Sequence, residues 1–338
     1  MNRILVIRGG AIGDFILTLP ALKALREAYA HAHVEILGYK HIATLAENRF
    51  YAQAVRSIEY GPLSGFFAKN SELPVDLAGY FASFDLIISY LYDPDQIFEE
   101  NLRRCGVENL ICGPAKILER GGHAARQLAQ PIEQLGIKVA DLAEHIFLSM
   151  DDRQFGQEFL RSLSKPVVAI HPGSGSKQKN WSVENWIELF SSQPDLATPK
   201  RNPGHVGKPL SLVVVSGEAD KAQTAQLEYA WQSRNVRFAK NLPLPHLAAV
   251  LEHTVFVGHD SGISHLAAAA GAKCVLLFGP TNPDVWAPRN ENVRVLRAQS
   301  GNVRDLEIEP VETAVAAATS RCFNQNVRDR LATISDPL

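Results

Sequence analysis

The sequence is poor in cysteine and carries no excess of either charge. Its four cysteines, Cys105, Cys112, Cys274 and Cys322, lie far apart without CxxC spacing, so neither a zinc-ligand set nor a disulfide framework can be read from them. Lys and Arg number 34 against 36 Asp and Glu, a formal net charge of -2, and no basic field draws the chain toward nucleic acid. No stretch approaches the roughly 18 uninterrupted apolar residues that a membrane span requires. The first apolar run, Ile4 to Ile7, is short and stops at Arg8-Gly9-Gly10, unlike the hydrophobic region of a secretory signal. Together these absences predict a cytoplasmic protein. Of the 11 histidines, His253, His259 and His265 fall near one another but match no zinc-ligand spacing, so no metal site is expected. There is no internal repeat.

What is present is a globular composition, 46% hydrophobic and 21% charged over 338 residues, long enough for two domains with separate cores. Short β-branched runs alternate with helical patterns, the signature of βαβ units and parallel sheets. The first half reads as strands Arg3–Arg8, Val34–Leu37, Val55–Ile58 and Leu86–Ser89. Helices are expected over Asp14–Ala30 and near His41–Asn48, Gln96–Cys105 and His123–Leu135. Between Gly61 and Gly79 the pattern is irregular and aromatic, a surface excursion; Phe66, Phe67 and Lys69 fit a loop folded over the core better than one touching acceptor or membrane. The second half reads as strands Val167–Ile170, Leu212–Val215, Val236–Phe238, Val255–Val257 and Cys274–Phe278. Its helices are Val183–Phe190, Ala219–Trp231, Pro245–Glu252, Ser261–Ala270 and Val311–Ser320. The fold class is therefore α/β, with domains over 1–160 and 165–320 and a tail over 321–338 that could pack back on the first domain. The Pro-, Gly- and Lys/Arg-rich loop 194–209 has no period and is expected to be disordered. Two such sheets facing each other leave a cleft at the carboxyl ends of their strands, where open α/β sheets take ligands.

Four post-strand segments carry the chemistry. In Gly258-His259-Asp260-Ser261-Gly262-Ile263-Ser264-His265, a strand leads into a helix whose free N–H groups and dipole suit a pyrophosphate. Asp260 and Ser261 are both good caps, and His265, one turn in, is either a phosphate contact or a packed histidine. In His171-Pro172-Gly173-Ser174-Gly175-Ser176-Lys177-Gln178-Lys179, hydroxyls, N–H groups and two lysines suit a leaving diphosphate, unless the segment is merely a solvated basic turn. It lacks the G-K-[ST] ending of a P-loop. Glu218 stands at a strand end, where a ribose diol is commonly held, though a helix-capping acid explains it equally well. In Arg8-Gly9-Gly10-Ala11-Ile12-Gly13-Asp14, the glycines fail the G-x-G-x-x-G spacing, and Glu35 sits inside the second strand rather than at its end. Nicotinamide binding is thus disfavoured. Asp14 remains, either as a helix cap or as a carboxylate able to take a proton from an attacking hydroxyl.

Three segments, Arg8 to Leu22, His171 to Trp186 and Asp260 to Pro288, resemble glycosyltransferase family 9, the lipopolysaccharide heptosyltransferases, in order and spacing. The resemblance implies the GT-B architecture of two Rossmann-like domains facing across a cleft. It implies inverting transfer of heptose from ADP-heptose to a lipid A-linked core acceptor, at the inner face of the inner membrane, without cofactor or metal. On matching positions it implies that Asp14, beside Gly13, is the catalytic base and that Lys179 neutralises the leaving group. Ser174 and Gly175 would hold the diphosphate, Glu218 the ribose and Asp260 the sugar hydroxyls, while Ser261, Gly262 and His265 would surround the phosphates. Residues 60 to 130, where the family binds acceptors, depart most from the pattern; Arg103, Arg104, Arg120, His123 and Arg126 offer positive charge there to an anionic glycolipid. The alternatives are a transferase using a UDP-linked sugar and an idle nucleotide-sugar-binding protein.

Overall fold

The computed structural model describes residues 1–191, 210–232 and 236–320; the expectations for the loop 194–209 and the tail 321–338 lie outside the described residues. The chain divides into two compact units, Met1–Ser149 and Met150–Leu338.

The first unit is built on β1 (Arg3–Arg8), β2 (His33–Gly38), β3 (Ala54–Ser57), β4 (Leu86–Ser89) and β5 (Leu110–Cys112), ordered β3-β2-β1-β4-β5. All pairings are parallel, with Ile4 opposite Val34 on one side and Leu86 on the other. Because helices cover both faces of such a sheet, a central strand is apolar throughout, and Ile4, Leu5, Val6 and Ile7 are all fully buried. The span from Gly61 to Gly79 is irregular only over residues 68–74. It forms a 3-10 turn, Gly61–Phe67, and the start of a helix, Val75–Ala82. Phe66 is buried against Phe81, with ring centroids 4.8 Å apart, while half-exposed Phe67 stacks on Phe98. Proline and glycine at 61, 62 and 65 hide the periodicity of this segment. The helix expected near His41–Asn48 shortens to Lys40–Ala43.

The second unit holds β6 (Val167–Ile170), β7 (Ser211–Ser216), β8 (Val236–Lys240), β9 (Val255–His259), β10 (Lys273–Phe278) and β11 (Val293–Arg297), ordered β11-β10-β9-β6-β7-β8 and again wholly parallel. Taken in chain order, both sheets start at the centre, run to one edge, then return and run to the other. That is the doubly wound order, with its topological switch between β1 and β4 in one unit and between β6 and β9 in the other. The core of the second unit includes Val168, Ile170, Trp181, Trp186, Val214 and Val257. The helix Met150–Leu160, which sequence reading grouped with the first half, packs on the helix Leu244–Leu251 of this unit. Gly156 makes that approach possible, since a Cβ there would lie 2.5 Å from the Ala249 carbonyl oxygen. Among the described residues no helix is long and apolar enough to cross a membrane.

Candidate functional site

The first unit's switch point carries the turn between β1 and the helix Ile12–Ala28. Gly10 has φ +95°, and a Cβ there would lie 2.7 Å from Asp14 Oδ2, so glycine is required by both conformation and space. Ala11 is the N-cap and Asp14 the third helical residue; Asp14 is therefore not the cap that one reading of the sequence allowed. Its Oδ2 accepts the Ala11 N–H at 2.8 Å, an acid in the first turn favoured by the helix dipole. Beneath it lies Arg8, whose guanidinium donates to the Asp14 carbonyl at 2.9 Å and to Thr18 Oγ1 at 3.0 Å. Burial lowers the Arg8 pKa from its ordinary value, against the opposing pull of Asp14. The second carboxylate oxygen, Oδ1, stands 3.8 Å from Arg8 Nη2. The result is an acid oriented by two neighbours with 38% of its side chain still open. Gly13 is the second residue of the same helix. Glu35, by contrast, is buried among Arg3, His33, Arg56 and the Tyr80 hydroxyl, a structural hub rather than a ribose ligand.

At the second unit's switch point, loops following β6, β7 and β9 converge on a polar cluster. Lys179 Nζ donates to Asp260 Oδ2 at 2.7 Å. The lysine closes a 3-10 turn, Lys177–Lys179, begun by the Ser176 cap. An ammonium has three protons, so pairing with Asp260 leaves two for a ligand oxygen. Ser261 is the N-cap of the helix Gly262–Ala269, its Oγ accepting the Ser264 N–H at 3.3 Å. The N–H groups of Gly262 and Ile263, in the first turn, have no intrahelical acceptor and are presented with the positive end of the helix dipole. His265 lies on this helix and is buried. Ser174 is half-buried and holds its own loop, its hydroxyl shared between Asn180 Oδ1 at 2.6 Å and the Ser176 carbonyl at 2.8 Å. Gly175 opens onto free space. Glu218 follows β7 with its side chain 86% exposed and Lys221 3.9 Å away.

Behind this surface lie three groups to which the sequence reading gave no role. His171 Nε2 donates to Asp220 Oδ2 at 2.9 Å, with both residues 4% exposed. Burial works against charge on Asp220, yet the hydrogen bond and proximity of His171 and the Gly217 N–H together hold its carboxyl below the usual range. His171 Nδ1 lies 3.4 Å from Ser261 Oγ, tying the β6 loop to the cap of the helix after β9. The room for Asp220 comes from Gly173, where a Cβ would fall 1.6 Å from Asp220 Oδ1. His259 is wholly buried at the end of β9; its Nε2 accepts the Trp181 N–H at 2.8 Å and its Nδ1 faces the Gly173 carbonyl at 3.4 Å. A ring that accepts at Nε2 is neutral and protonated at Nδ1, and burial first of all pushes its pKa down to about 3. The only visible sequence signal for these groups was their position at strand ends.

The basic residues proposed to meet a glycolipid are mostly committed elsewhere. Arg103 pairs with Glu99 at 2.8 Å, Arg126 pairs with Glu133 at 2.8 Å, and Arg104 donates to Asn101 Oδ1 and the Ser71 carbonyl. His123 is buried as the cap of the helix Ala124–Glu133. Arg120 is exposed.

Residues 116–315, more than half of the chain, match the family model of glycosyltransferase family 9 (heptosyltransferase). A lipopolysaccharide heptosyltransferase 1 of Escherichia coli is 21% identical over 333 residues, covering 92% of this chain and 96% of that protein. The crystal structure of a family 9 glycosyl transferase from Veillonella parvula aligns with a TM-score of 0.75 at 19% identity, over 95% of this chain and 97% of that one. An E. coli ADP-heptose lps heptosyltransferase II aligns with a TM-score of 0.73 at 16% identity, over 95% and 99%. At such identities the structural likeness speaks to the fold, and the expected GT-B pair of Rossmann-like parallel-sheet units holds.

Proposed function

The chain belongs to glycosyltransferase family 9, the heptosyltransferase family, and is a glycosyltransferase; on that premise we propose that it moves heptose from ADP-heptose to a hydroxyl of the lipopolysaccharide core, with inversion at the anomeric carbon. The observation that carries this reading is the cradle at the β6–β9 switch, where Lys179, Asp260 and the Ser261-capped helix start converge. Such a cradle suits a diphosphate departing with two negative charges, which the ammonium and the oriented N–H groups stabilise as they develop. No divalent ion is needed for that role. Asp260, already fixed by Lys179, accepts from the hydroxyls of the donor sugar. Glu218 takes the ribose diol, while Ser174, Gly175, Gly262 and His265 shape the wall around the phosphates. Asp14, held by the Ala11 N–H and Arg8, takes the proton of the acceptor hydroxyl as that oxygen attacks the anomeric carbon. The acceptor is a lipid A-linked glycolipid, which places the enzyme at the cytoplasmic face of the inner membrane in peripheral contact with it.

Base choice is assigned to the turn after β8, where Asn241 takes φ +50° and donates its N–H to the Ser216 carbonyl at 2.9 Å. Backbone groups from Asn241 to Leu244 there offer donors and acceptors to a purine edge. A site that pairs with one base edge leaves polar groups unpaired with another. Calorimetry should therefore find ADP bound at least about tenfold more tightly than UDP or GDP, a gap of roughly 1.4 kcal/mol. A preference for UDP overturns the ADP-heptose assignment and leaves the sugar-transferase reading standing.

A further inference from the structure

The buried pair His171–Asp220 reaches the cradle through a single hydroxyl. His171 Nε2 donates to Asp220 Oδ2 at 2.9 Å, and its other ring nitrogen, Nδ1, lies 3.4 Å from Oγ of the half-buried cap Ser261. The histidine is 4% exposed, so Nδ1 must find its partner inside the protein. What it requires of Ser261 depends on its protons. A neutral ring that donates at Nε2 has a bare lone pair at Nδ1 and takes the Ser261 hydroxyl proton. An imidazolium has an N–H there and takes a Ser261 lone pair instead.

A serine hydroxyl has one proton and two lone pairs, and the neighbours of Ser261 fix where each goes. One lone pair accepts the Ser264 N–H at 3.3 Å. The Ser264 hydroxyl, 3.2 Å away, donates to the His259 carbonyl and has only a lone pair left to offer. With His171 neutral, the Ser261 proton is therefore held inside the protein. With His171 charged, Nδ1–H fills the second lone pair, and the Ser261 proton is free for a ligand. An anionic phosphate oxygen then outcompetes the neutral Ser264 hydroxyl for it. The groups facing His171 favour the charged ring once a diphosphate is present. Against the effect of burial, the hydrogen bond and proximity of His171 hold the Asp220 carboxyl below its usual range. Burial keeps His259 neutral, so it brings no opposing charge. Lys179 and Asp260 balance each other as a pair, and a bound diphosphate adds further negative charge.

We propose that His171 and Asp220 are positioning residues: when a diphosphate binds, the ring takes up a proton at Nδ1 and turns the Ser261 hydroxyl outward to a phosphate oxygen. The proposal rests on the donor-site reading above and deepens it. One proton passes from solvent to Nδ1, the bond from Nδ1–H to Oγ replaces the bond from Oγ–H to Nδ1, and the serine keeps its own proton.

The test is calorimetric titration of ADP into the full chain at about pH 6 and about pH 8, either side of the range in which an imidazole changes charge. Buffers of different ionisation enthalpy count the protons taken up. The terminal phosphate of ADP titrates near about pH 6 as well, so the wild type is read against variants. Asp220→Asn keeps the acceptor, because Oδ2 takes both the His171 and the Gly217 N–H groups and an amide oxygen in its place does the same; it removes the charge that favours an imidazolium. Ser261→Ala removes the hydroxyl, and Ser261→Thr keeps it. The wild type should take up more protons on binding than Asp220→Asn or Ser261→Ala. Between the two pH values its affinity should fall about tenfold more than theirs, the scale of one hydrogen bond to a charged group. Ser261→Thr should restore the wild-type profile. Binding weakened by one factor at both pH values, with equal proton uptake, is the mark of a merely structural pair and overturns the proposal. So does wild-type proton uptake in Ser261→Ala. If Asp220→Asn does not fold, the two Ser261 variants decide the matter on the same readings. Failure of ADP to bind the wild type at all refutes the donor-site reading and the proposal with it, and is distinguishable from the other outcomes.

Discussion

His259 should make the second unit sensitive to acid well above the range in which carboxylates titrate. Folded, the ring is wholly buried, takes the Trp181 N–H at Nε2 and has a pKa of about 3; unfolded, it titrates near 6.5. The unfolded state therefore binds more protons between those values. The ring's contribution to stability is fully present above about pH 6.5 and is lost as pH falls toward the folded pKa. From about pH 7 to about pH 5 the loss comes to roughly 2 kcal/mol, a figure set almost wholly by the unfolded value once the folded pKa is below about 4. Urea unfolding followed by tryptophan fluorescence measures it selectively, because all four tryptophans, Trp181, Trp186, Trp231 and Trp286, belong to the second unit. The comparison is with His259→Gln, whose amide can still accept from Trp181 and donate to Gly173 but does not titrate. The variant should be less stable near neutrality, with a stability loss between about pH 7 and about pH 5 smaller than wild type by roughly 2 kcal/mol. Identical pH slopes in the two proteins would refute the argument.

The other expectations concern the cradle and the base. Gly173→Ala must displace the Asp220 carboxylate, 1.6 Å from the new Cβ, and break its buried pair with His171; a loss of about 3–5 kcal/mol in urea unfolding is expected, and an unchanged midpoint would show that the loop yields instead. Asp14→Asn keeps the size but cannot take a proton, so turnover should fall by roughly 10²-fold or more while calorimetric ADP affinity holds; near-normal turnover would leave Asp14 a first-turn helix acid and nothing more. Lys179→Ala should weaken both ADP binding and turnover, and wild-type activity should survive EDTA. Loss of activity on chelation, restored by a divalent ion, would point to another class of transferase.

The sheets were legible because their central strands are buried on both faces. Arg3–Arg8, Leu86–Ser89 and Val167–Ile170 fall where the apolar runs placed them. The edges were not. β5 is three residues long, and β11 alternates Val and Arg with none of its residues fully buried. Neither produces a run that stands out from a loop. The helix Met150–Leu160 is silent in the sequence for a related reason, since its sequence MDDRQFGQEFL is mostly polar. What docks it is largely the absence of a side chain, at Gly156.

The site shows where reading along the chain stops. Loops that bear ligand groups are recognisable locally, because glycine, serine and lysine after an apolar strand form a pattern within a dozen residues, and Lys179, Asp260 and Ser261 were found that way. The groups that hold those loops in place pair across sequence separations of 49 for His171–Asp220, 78 for Trp181–His259 and 90 for His171–Ser261. Nothing local marks either partner. Their meeting follows from strand order alone: β6 lies between β9 and β7, and in a parallel sheet the ends of adjacent strands open at the same edge. Residues just past β9, β6 and β7 must then converge, and in a buried setting each polar group among them needs a partner. The histidine after β6 and the aspartate four residues past β7 meet that need for each other, and the histidine closing β9 meets its own on the backbone of the β6 loop, at the Trp181 N–H and the Gly173 carbonyl, so the cradle is held open before any ligand arrives.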